Sequence, residues 1–190
     1  RDADGTIMGP TDTLAYPPLA EGGRGPSAFM RTGLDLYANI RPAKTRSGVP
    51  SAAENMDLVF ARENTEGFYA DRSMYLGNGE MMLTEDVAIS VRKITREASR
   101  KIAEAAFKLA MQRRRKVTIV TKRNVLKMTD GLFHDTVRAV AQDYPEVEVD
   151  DVIIDAMSAL MVRTPDTFDV VCTSNMYGDI LSDLGNELAG

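Results

Sequence analysis

The sequence predicts an α/β fold with a largely parallel sheet, because short apolar strands alternate with longer amphipathic helices along most of the chain. Residues 57–61, 117–120 and 168–171 have the length and apolar content of buried strands. Between the second and third of these lie segments of helical length, which parallel strands need as connections. No internal repeat and no low-complexity segment interrupts the alternation.

The first half of the chain is the less regular half. Residues 9–50 are rich in glycine, proline and small polar residues, with one helical patch at 27–36. A strand is predicted at 57–61. Residues 69–83 show no clear period, which indicates a protruding loop or a hairpin arm, and the alternation of Val, Ile and Val at 87–91 predicts a strand.

The second half is regular. Thr95 can cap a helix whose apolar residues recur at intervals of four, three and four, namely Ala98, Ile102, Ala105 and Leu109. The basic run 113–116 would end this helix with cations at the negative end of its dipole, and the alternative interpretation is a phosphate-binding patch. The remaining predicted elements are a strand at 117–120, a helix at 125–142, a strand at 147–154, a helix at 156–162, a strand at 168–171 and a helix from about Tyr177.

Composition excludes several classes of protein. The 190 residues suffice for one sizeable domain or for part of a two-domain protein. The 28 acidic and 23 basic residues give a net charge of −5, which argues against a nucleic-acid partner. The 44% hydrophobic and 27% charged content is typical of a globular chain. No apolar run approaches the ~20 residues that span a bilayer, so no membrane partner is expected.

Cysteine and histidine are scarce. Cys172 alone cannot form an intramolecular disulfide and fits a reducing compartment, so a cytoplasmic location is expected. One histidine, His134, argues against a zinc site or a histidine-based triad, which leaves carboxylates, lysine, arginine and tyrosine for any chemistry. The first residues contain no initiator Met or apolar signal region, so no export signal is expected, and a helix is predicted to reach a glycine stop at Gly190. Both ends therefore suggest the interior of a longer protein, and a natural terminus is the competing interpretation.

Three carboxylates are candidate metal ligands. Asp179 and Asp183 are four residues apart on a predicted helix, so they share a face and repel each other, and a divalent cation would offset that repulsion. Asp155 ends a predicted strand, at the sheet edge where parallel α/β proteins bind ligands. Together the three would suit Mg²⁺ or Mn²⁺. The alternatives are two solvated carboxylates near a helix start and, for Asp155, a cap for the next helix.

Several other polar residues follow predicted strands or flank apolar segments. Lys122 lies just past a strand, where it could orient an anion or move a proton. Arg62 follows another strand, with Tyr69 shortly after it. Arg31 and Arg41 flank an apolar stretch, and arginine forks recognise carboxylates or phosphates. For each arginine, a surface salt bridge is the alternative.

Five segments recur in the order of one known family. They are Leu-Asp-Leu-Tyr-Ala-Asn-Ile-Arg-Pro-Ala-Lys at 34–44, Arg-Glu-Asn-Thr-Glu-Gly-Phe-Tyr at 62–69, Thr-Lys-Arg-Asn-Val-Leu-Lys at 121–127, Asp-Ala-Met at 155–157, and Gly-Asp-Ile-Leu-Ser-Asp at 178–183. In this order they closely resemble the β-decarboxylating dehydrogenases of isocitrate and 3-isopropylmalate, from about Gly9 onward.

The resemblance implies an isopropylmalate dehydrogenase-like fold, with a parallel or mixed sheet flanked by helices and a dimerisation arm. It also implies a division into a partial large-domain segment at 1–55, a small dimer-forming domain at 56–165 and a return to the large domain at 166–190. The family's opening glycine-rich segment and its later adenosine-binding loop are not found in these 190 residues. The chain by itself is therefore expected to be inactive.

The resemblance also implies a role for each candidate residue. The substrate carboxylates would be clamped by Arg31, Arg41 and Arg62. The Mg²⁺ or Mn²⁺ ion would be held by Asp155, Asp179 and Asp183. This ion would polarise the new ketone and stabilise the enolate formed as CO₂ leaves.

The remaining roles concern protons and the nicotinamide of NAD or NADP. Lys122 would assist removal of the hydroxyl proton as hydride leaves, and Tyr69 would protonate the enolate carbon. Asn124 would lie near the nicotinamide ribose. The family shares each site across a homodimer, with the lysine and one metal aspartate coming from the partner chain.

The implied substrate is a small hydroxy acid. The family's specificity segment precedes the first arginine, and residues 22–30 match none of its versions clearly. Because the isocitrate-type serine pattern is not evident, 3-isopropylmalate is expected first, and isocitrate, homoisocitrate and a tartrate- or malate-type substrate are the alternatives.

Two rival functions belong to other classes. A non-catalytic subunit would be expected to lose the tyrosine, the lysine or a metal aspartate, and this sequence keeps them all. An inactive fragment could act only as a dimerisation module. The stretch 69–90 is expected to form part of a homodimer interface, because the methionines, leucines and tyrosine within 72–83 would be an aggregation hazard if left exposed. A loop folded back on its own domain is the alternative.

Overall fold

A mixed five-stranded sheet organises the computed structural model, which describes residues 3–12, 15–18, 21–69, 74 and 79–190. The elements in chain order are α1 (Pro26–Gly33), β1 (Ala38–Lys44), β2 (Asp57–Glu63), β3 (Glu80–Thr84), β4 (Val87–Ser90), α2 (Arg96–Met111), β5 (Lys116–Thr121), α3 (Thr129–Ala141), β6 (Glu148–Ile153), α4 (Ile154–Arg163), β7 (Val170–Thr173) and α5 (Asn175–Ala189).

The sheet has the order β1-β2-β7-β5-β6, and β2, β7, β5 and β6 run parallel. The predicted α/β fold with a parallel or mixed sheet flanked by helices is confirmed. The sequence did not predict β1, which pairs antiparallel to β2 at the sheet edge. Pro42 disfavours a strand anywhere except an edge or a bulge, and only Ala43 of the seven residues of β1 is buried.

Two apolar cores cover the two faces of the sheet. Alternate residues of the central strands point to opposite sides, so Ala61 and Ile119 enter one core while Phe60 and Val120 enter the other. One core is closed by α2 and α3, and the other by α4 and α5. Cys172 lies in the first core, where burial raises the pKa of its thiol to about 12.

The structure corrects several predicted bounds. The segment at 122–128 forms turns rather than the start of a helix, because Val125 and Leu126 both donate their amides to the carbonyl of Lys122. Helix α2 is capped by Thr95 as predicted. Its buried face is shifted from the predicted stripe, since Ala105 and Leu109 are only partly buried, and it centres on Ser99, Ile102, Ala103, Ala106, Phe107 and Ala110.

The basic run 113–116 follows the end of α2 and forms ion pairs with acidic residues. Arg113 lies 2.7 Å from both Asp57 and Asp169. Lys116 lies 3.2 Å from Glu148. The Arg113 contacts tie the helix end to β2 and to the residue before β7, and Lys116, the first residue of β5, pairs with the neighbouring strand β6. The phosphate-patch alternative is therefore not needed to explain the run.

Strands β3 and β4 form a separate antiparallel hairpin, and all of their residues are exposed. The hairpin confirms a strand near 87–91 and a hairpin arm in the described part of 69–83; residues 70–73 and 75–78 lie outside the described residues. The predicted division at 55/56 and 165/166 stays a prediction about the longer protein, and within the described chain all three ranges supply strands to one sheet. None of the described helices is long and apolar enough to cross a membrane.

Candidate functional site

An enclosed group of polar side chains lies where β2 ends and α5 begins. The Arg62 side chain is 2% exposed and forms an ion pair with Asp179. Its Nε and Nη2 atoms donate to Asn175 Oδ1 at 3.0 and 2.6 Å. The aliphatic stem of Arg62 passes beside Gly178, where an added Cβ would lie 2.5 Å from Arg62 Cγ. The start of α5 therefore fixes this guanidinium in position.

Asp179 is the centre of this group. Arg41 Nη1 lies 3.1 Å from its carboxylate, and the Tyr69 hydroxyl donates to it at 3.3 Å. Arg41 Nη1 also lies 3.2 Å from Asp183, one helical turn further along α5. We call these five residues the arginine cluster: Arg41, Arg62, Tyr69, Asp179 and Asp183.

A cavity of about 420 Å³ opens beside the arginine cluster. Arg31, Arg41 and Arg62 all contribute to its wall, with Tyr69 and Asp179. Burial lowers the pKa of Arg62, and the charge of Asp179 opposes this shift. Three guanidinium groups against one carboxylate make the wall net positive, so the cavity is suited to a small anion with more than one carboxylate. The surface-salt-bridge alternative is wrong for Arg62.

The predicted catalytic lysine, cofactor-binding asparagine and third metal ligand follow strands β5 and β6, and we call them the lysine cluster: Lys122, Asn124 and Asp155. Lys122 Nζ forms an ion pair with Asp155, and this contact lowers the pKa of the Asp155 carboxyl. Asp155 lies in the first turn of α4, and Ile153 is the N-cap residue, so Asp155 neither ends a strand nor caps the helix. Asn124 is exposed in the turns after β5.

The predicted metal ligands are divided between the two clusters. Asp179 and Asp183 converge on one cationic nitrogen of Arg41, so two carboxylates face a point that a positive charge already occupies. This donor set fits Mg²⁺ or Mn²⁺. Asp155 does not join them, and within the described ranges no three acidic, cysteine or histidine side chains form a metal-binding group. One chain alone does not assemble the predicted trio.

Sequence reasoning missed two residues that shape the arginine cluster. Asn175 is fully buried and also donates to the carbonyl of Glu66 at 3.0 Å, so it links Arg62 to the segment before Tyr69. Gly178 makes room for the Arg62 stem. The position of Asn175 directly after a strand, at the ligand-binding edge of a parallel sheet, is the signal that could have identified it.

A mixed α/β sheet with an arginine-lined cavity and paired carboxylates at its edge defines the class as an α/β protein whose sheet edge carries a cavity suited to anions. The family model described as isocitrate/isopropylmalate dehydrogenase matches residues 1–190. The chain therefore belongs to the isocitrate/isopropylmalate dehydrogenase family.

Individual relatives carry several names. The chain is 47% identical over 164 residues to an isocitrate/homoisocitrate dehydrogenase of Thermus thermophilus, covering 85% of this chain and 46% of the relative. It is 39% identical over 184 residues to a 3-isopropylmalate dehydrogenase of Sulfurisphaera tokodaii, covering 97% and 52%. The crystal structure of isocitrate dehydrogenase from Methylococcus capsulatus matches with a TM-score of 0.81 and 42% identity, covering 92% and 51%. The chain spans about half the length of the curated relatives it matches.

Proposed function

We propose that the protein containing this chain is a metal-dependent, NAD(P)-linked dehydrogenase that oxidises and decarboxylates a 2-hydroxy acid with a second carboxylate on carbon 3. The observation that carries this proposal is the convergence of Arg41, Arg62 and Tyr69 on Asp179 beside a positively charged cavity. Family membership supports the reaction class.

Substrate binding is assigned to the arginines of the cavity wall. The guanidinium group of Arg62 is held by its hydrogen bonds to Asn175, so little side-chain entropy remains to be lost when a carboxylate binds. Arg31 and Arg41 reach the cavity from α1 and β1. Guanidinium groups from three elements would determine the orientation of a bound dicarboxylate as well as its affinity.

The divalent ion is assigned to Asp179 and Asp183, with Asp155 of a second copy as a third ligand. When bound, the ion would polarise the oxygen at carbon 2 and stabilise the enolate charge. NAD or NADP would accept the hydride, with Asn124 near its ribose. Arg41 Nη1 lies within 3.2 Å of both carboxylates, so the two negative charges face one point that a cation can occupy.

Proton transfers are assigned to Tyr69 and Lys122. Tyr69 reaches Asp179 and would donate its hydroxyl proton to the enolate carbon. Lys122 would take up the proton of the substrate hydroxyl. Because Lys122 and Asp155 form a separate cluster on this chain, we propose that they serve the site of a second copy in a homodimer with shared active sites.

The hairpin β3–β4 is the proposed dimer contact. Met81, Met82, Leu83, Val87 and Ile89 are all exposed on it, which is an aggregation hazard unless a partner covers them. Light scattering after size exclusion tests this: the full-length protein should be a dimer, and Met82→Ser with Ile89→Ser should weaken the dimer. A monomer at micromolar concentration would contradict the shared site.

The substituent on carbon 3 decides between the named substrates. Thr11, Tyr16 and Ser27 line the cavity with hydroxyl-bearing side chains, which favours a polar substituent as in isocitrate or homoisocitrate. Pro26 and Ala28 line it too and favour an apolar substituent as in 3-isopropylmalate, the substrate expected first from the sequence. We propose the carboxylate-bearing substrates first and 3-isopropylmalate second.

The test is a steady-state assay of the full-length protein with all three acids, each with NAD and with NADP, in Mg²⁺ or Mn²⁺. We expect NAD(P)H and CO₂ in equal amounts, loss of turnover in EDTA and recovery on adding metal. Arg62→Lys keeps the charge but removes the fork, so its KM should rise. Full turnover in metal-free buffer, or no turnover with any of the acids, would contradict the proposal.

A further inference from the structure

A buried ion pair lies outside both clusters and is used by none of the steps above. Arg92 precedes α2, and Asp130 is the second residue of α3. Their side chains are 7% and 1% exposed. Burying two charges costs several kcal/mol per ion unless further hydrogen bonds compensate. The contacts of this pair therefore indicate what it holds in place.

Asp130 holds the turn that carries Lys122. One carboxylate oxygen pairs with Arg92, and the other accepts a hydrogen bond from the Lys122 backbone amide at 2.5 Å. The Asp130 amide in turn donates to the carbonyl of Leu126 at 3.0 Å, and Leu126 donates to the carbonyl of Lys122 at 2.9 Å. The carboxylate thus closes a ring of hydrogen bonds around the turns at 122–128.

Arg92 joins that turn to the neighbourhood of the arginine cluster. Its Nη2 donates to Ser174 Oγ at 3.1 Å, and Ser174 directly precedes Asn175. Its guanidinium carbon lies 5.6 Å from the centre of the Phe68 ring, and Phe68 directly precedes Tyr69. The pair therefore contacts the backbone neighbours of residues in both clusters.

We propose that Asp130, anchored by Arg92, is a positioning residue that holds Lys122 in the orientation needed for proton transfer. The inference rests on the proposed function in that Lys122 acts there as the proton acceptor. The physical reason is that a charged acceptor fixes a backbone donor more firmly than a neutral one. An anchor buried by its own partner cannot be replaced by water.

The experiment uses the full-length protein with Asp130→Ala. Because neither Asp130 nor Arg92 lines the arginine-lined cavity, we expect kcat to fall by about 10²-fold while KM changes by less than about twofold. Peptides covering 121–127 should exchange backbone hydrogen about tenfold faster. Asp130→Asn keeps a neutral acceptor for the Lys122 amide and should restore part of the turnover lost in Asp130→Ala.

Thr173→Val is the matched control, because it removes a different buried hydrogen bond near the same turn. This bond runs from the Thr173 hydroxyl to the carbonyl of Val120, near the end of β5, the strand that leads into Lys122. It should leave exchange at 121–127 unchanged. If Asp130→Ala does not fold, the double variant Arg92→Met/Asp130→Ala leaves no unpaired charge and should show the same two effects.

The proposal is overturned if exchange at 121–127 is no faster than in the control, or if KM rises as much as kcat falls. Lys122→Met is assayed beside these variants. Should it retain turnover, the lysine role in the proposed function has failed, and the exchange result alone then decides whether Asp130 holds the turn.

Discussion

The two clusters of predicted site residues differ in how the chain holds them. Arg62 is 2% exposed and is fixed by Asn175, Asp179 and Gly178, all from one helix start. Lys122 and Asp155 are 29% and 68% exposed and mainly contact each other. One chain thus encloses the half of the site that would bind carboxylates and presents the other half outward.

This difference shows which contacts serve the fold and which are free for a partner. An exposed ion pair contributes about 0–1 kcal/mol to stability, so folding alone does not require Lys122 opposite Asp155. Removing Asp179 leaves the buried Arg62 guanidinium without an ion-pair partner, which costs up to about 3–5 kcal/mol in a fully buried pair and less here because Asp179 is 34% exposed. The enclosed half is therefore coupled to stability, and the outward half is not.

The sharpest test mixes two inactive variants. Tyr69→Phe and Lys122→Met should each lower turnover by about 10²–10⁴-fold, the usual cost of losing a general acid or base. If each site takes Tyr69 from one chain and Lys122 from the other, a mixed dimer contains one intact site. After denaturing and refolding the mixture, recovery of up to about a quarter of wild-type activity is expected.

The control is the same treatment of each variant alone, which should recover nothing. If the mixture is no more active than the separate variants, the shared site is contradicted, because both clusters would then act within one chain.

A second test compares two aspartates across the clusters. Asp179→Asn should weaken Mn²⁺ binding by at least about tenfold, since even an outer-shell partner of a metal ligand costs that much. Substrate affinity should fall with it. Asp155→Asn should have a comparable effect only where the protein is dimeric. Calorimetric titration with Mn²⁺ measures both, and an Asp179 variant with unchanged affinity would remove that residue from the metal site.

A third test uses two glycines. In Gly178→Ala the new Cβ would lie 2.5 Å from Arg62 Cγ, so the arginine must shift. We expect KM to rise by about tenfold or more and the free energy of unfolding to fall by about 1–3 kcal/mol. Gly131→Ala in α3 is the control, because nothing lies within 4 Å of its added Cβ. It should stabilise the helix by about 0.5–1 kcal/mol. Equal effects of the two changes on KM would contradict the enclosed placement of Arg62.

The smallest expected effect is a pH dependence of the free energy of unfolding, caused by Glu66 in the enclosed half. Burial raises the pKa of Glu66 from 4.5 to about 7, against the hydrogen bonds from Thr95 that favour its charged form. Between these values the folded state keeps a proton that the unfolded state has lost. Stability should therefore fall by about 1–3 kcal/mol as pH rises from 4.5 to 7, and then level off.

Chemical unfolding at pH 5, 6, 7 and 8 measures this slope, and Glu66→Gln should flatten it. The Lys122–Asp155 pair should not contribute, because the lysine lowers the pKa of Asp155 from 3.8 and the carboxyl stays charged over this window. An unchanged slope in Glu66→Gln would show that another group titrates.

Local patterns were enough to predict most elements. The Thr95 cap, the strand at β2 and the alternation of strands and helices depend on neighbouring residues, so a short window of sequence contains the information. Strand β1 was missed because Pro42 disfavours a strand away from a sheet edge, and only the tertiary structure places β1 at that edge. The helix predicted from 125 begins at Thr129, because the Lys122 amide donates to the Asp130 carboxylate and the residues between them form turns.

By itself the sequence determined the fold class, the candidate residue types and their order along the chain. Only the tertiary structure decided which of them meet. Arg41 and Ser182 are hydrogen-bonded across 141 positions, and Asp155 lies apart from Asp179 although both are acids that follow strands. The physical reason is that strand order in the sheet is set by packing between distant elements. That order, rather than any local pattern, places the end of β2 with Arg62 beside β7, which leads into α5 and Asp179, and the end of β5 with Lys122 beside β6, which leads into Asp155.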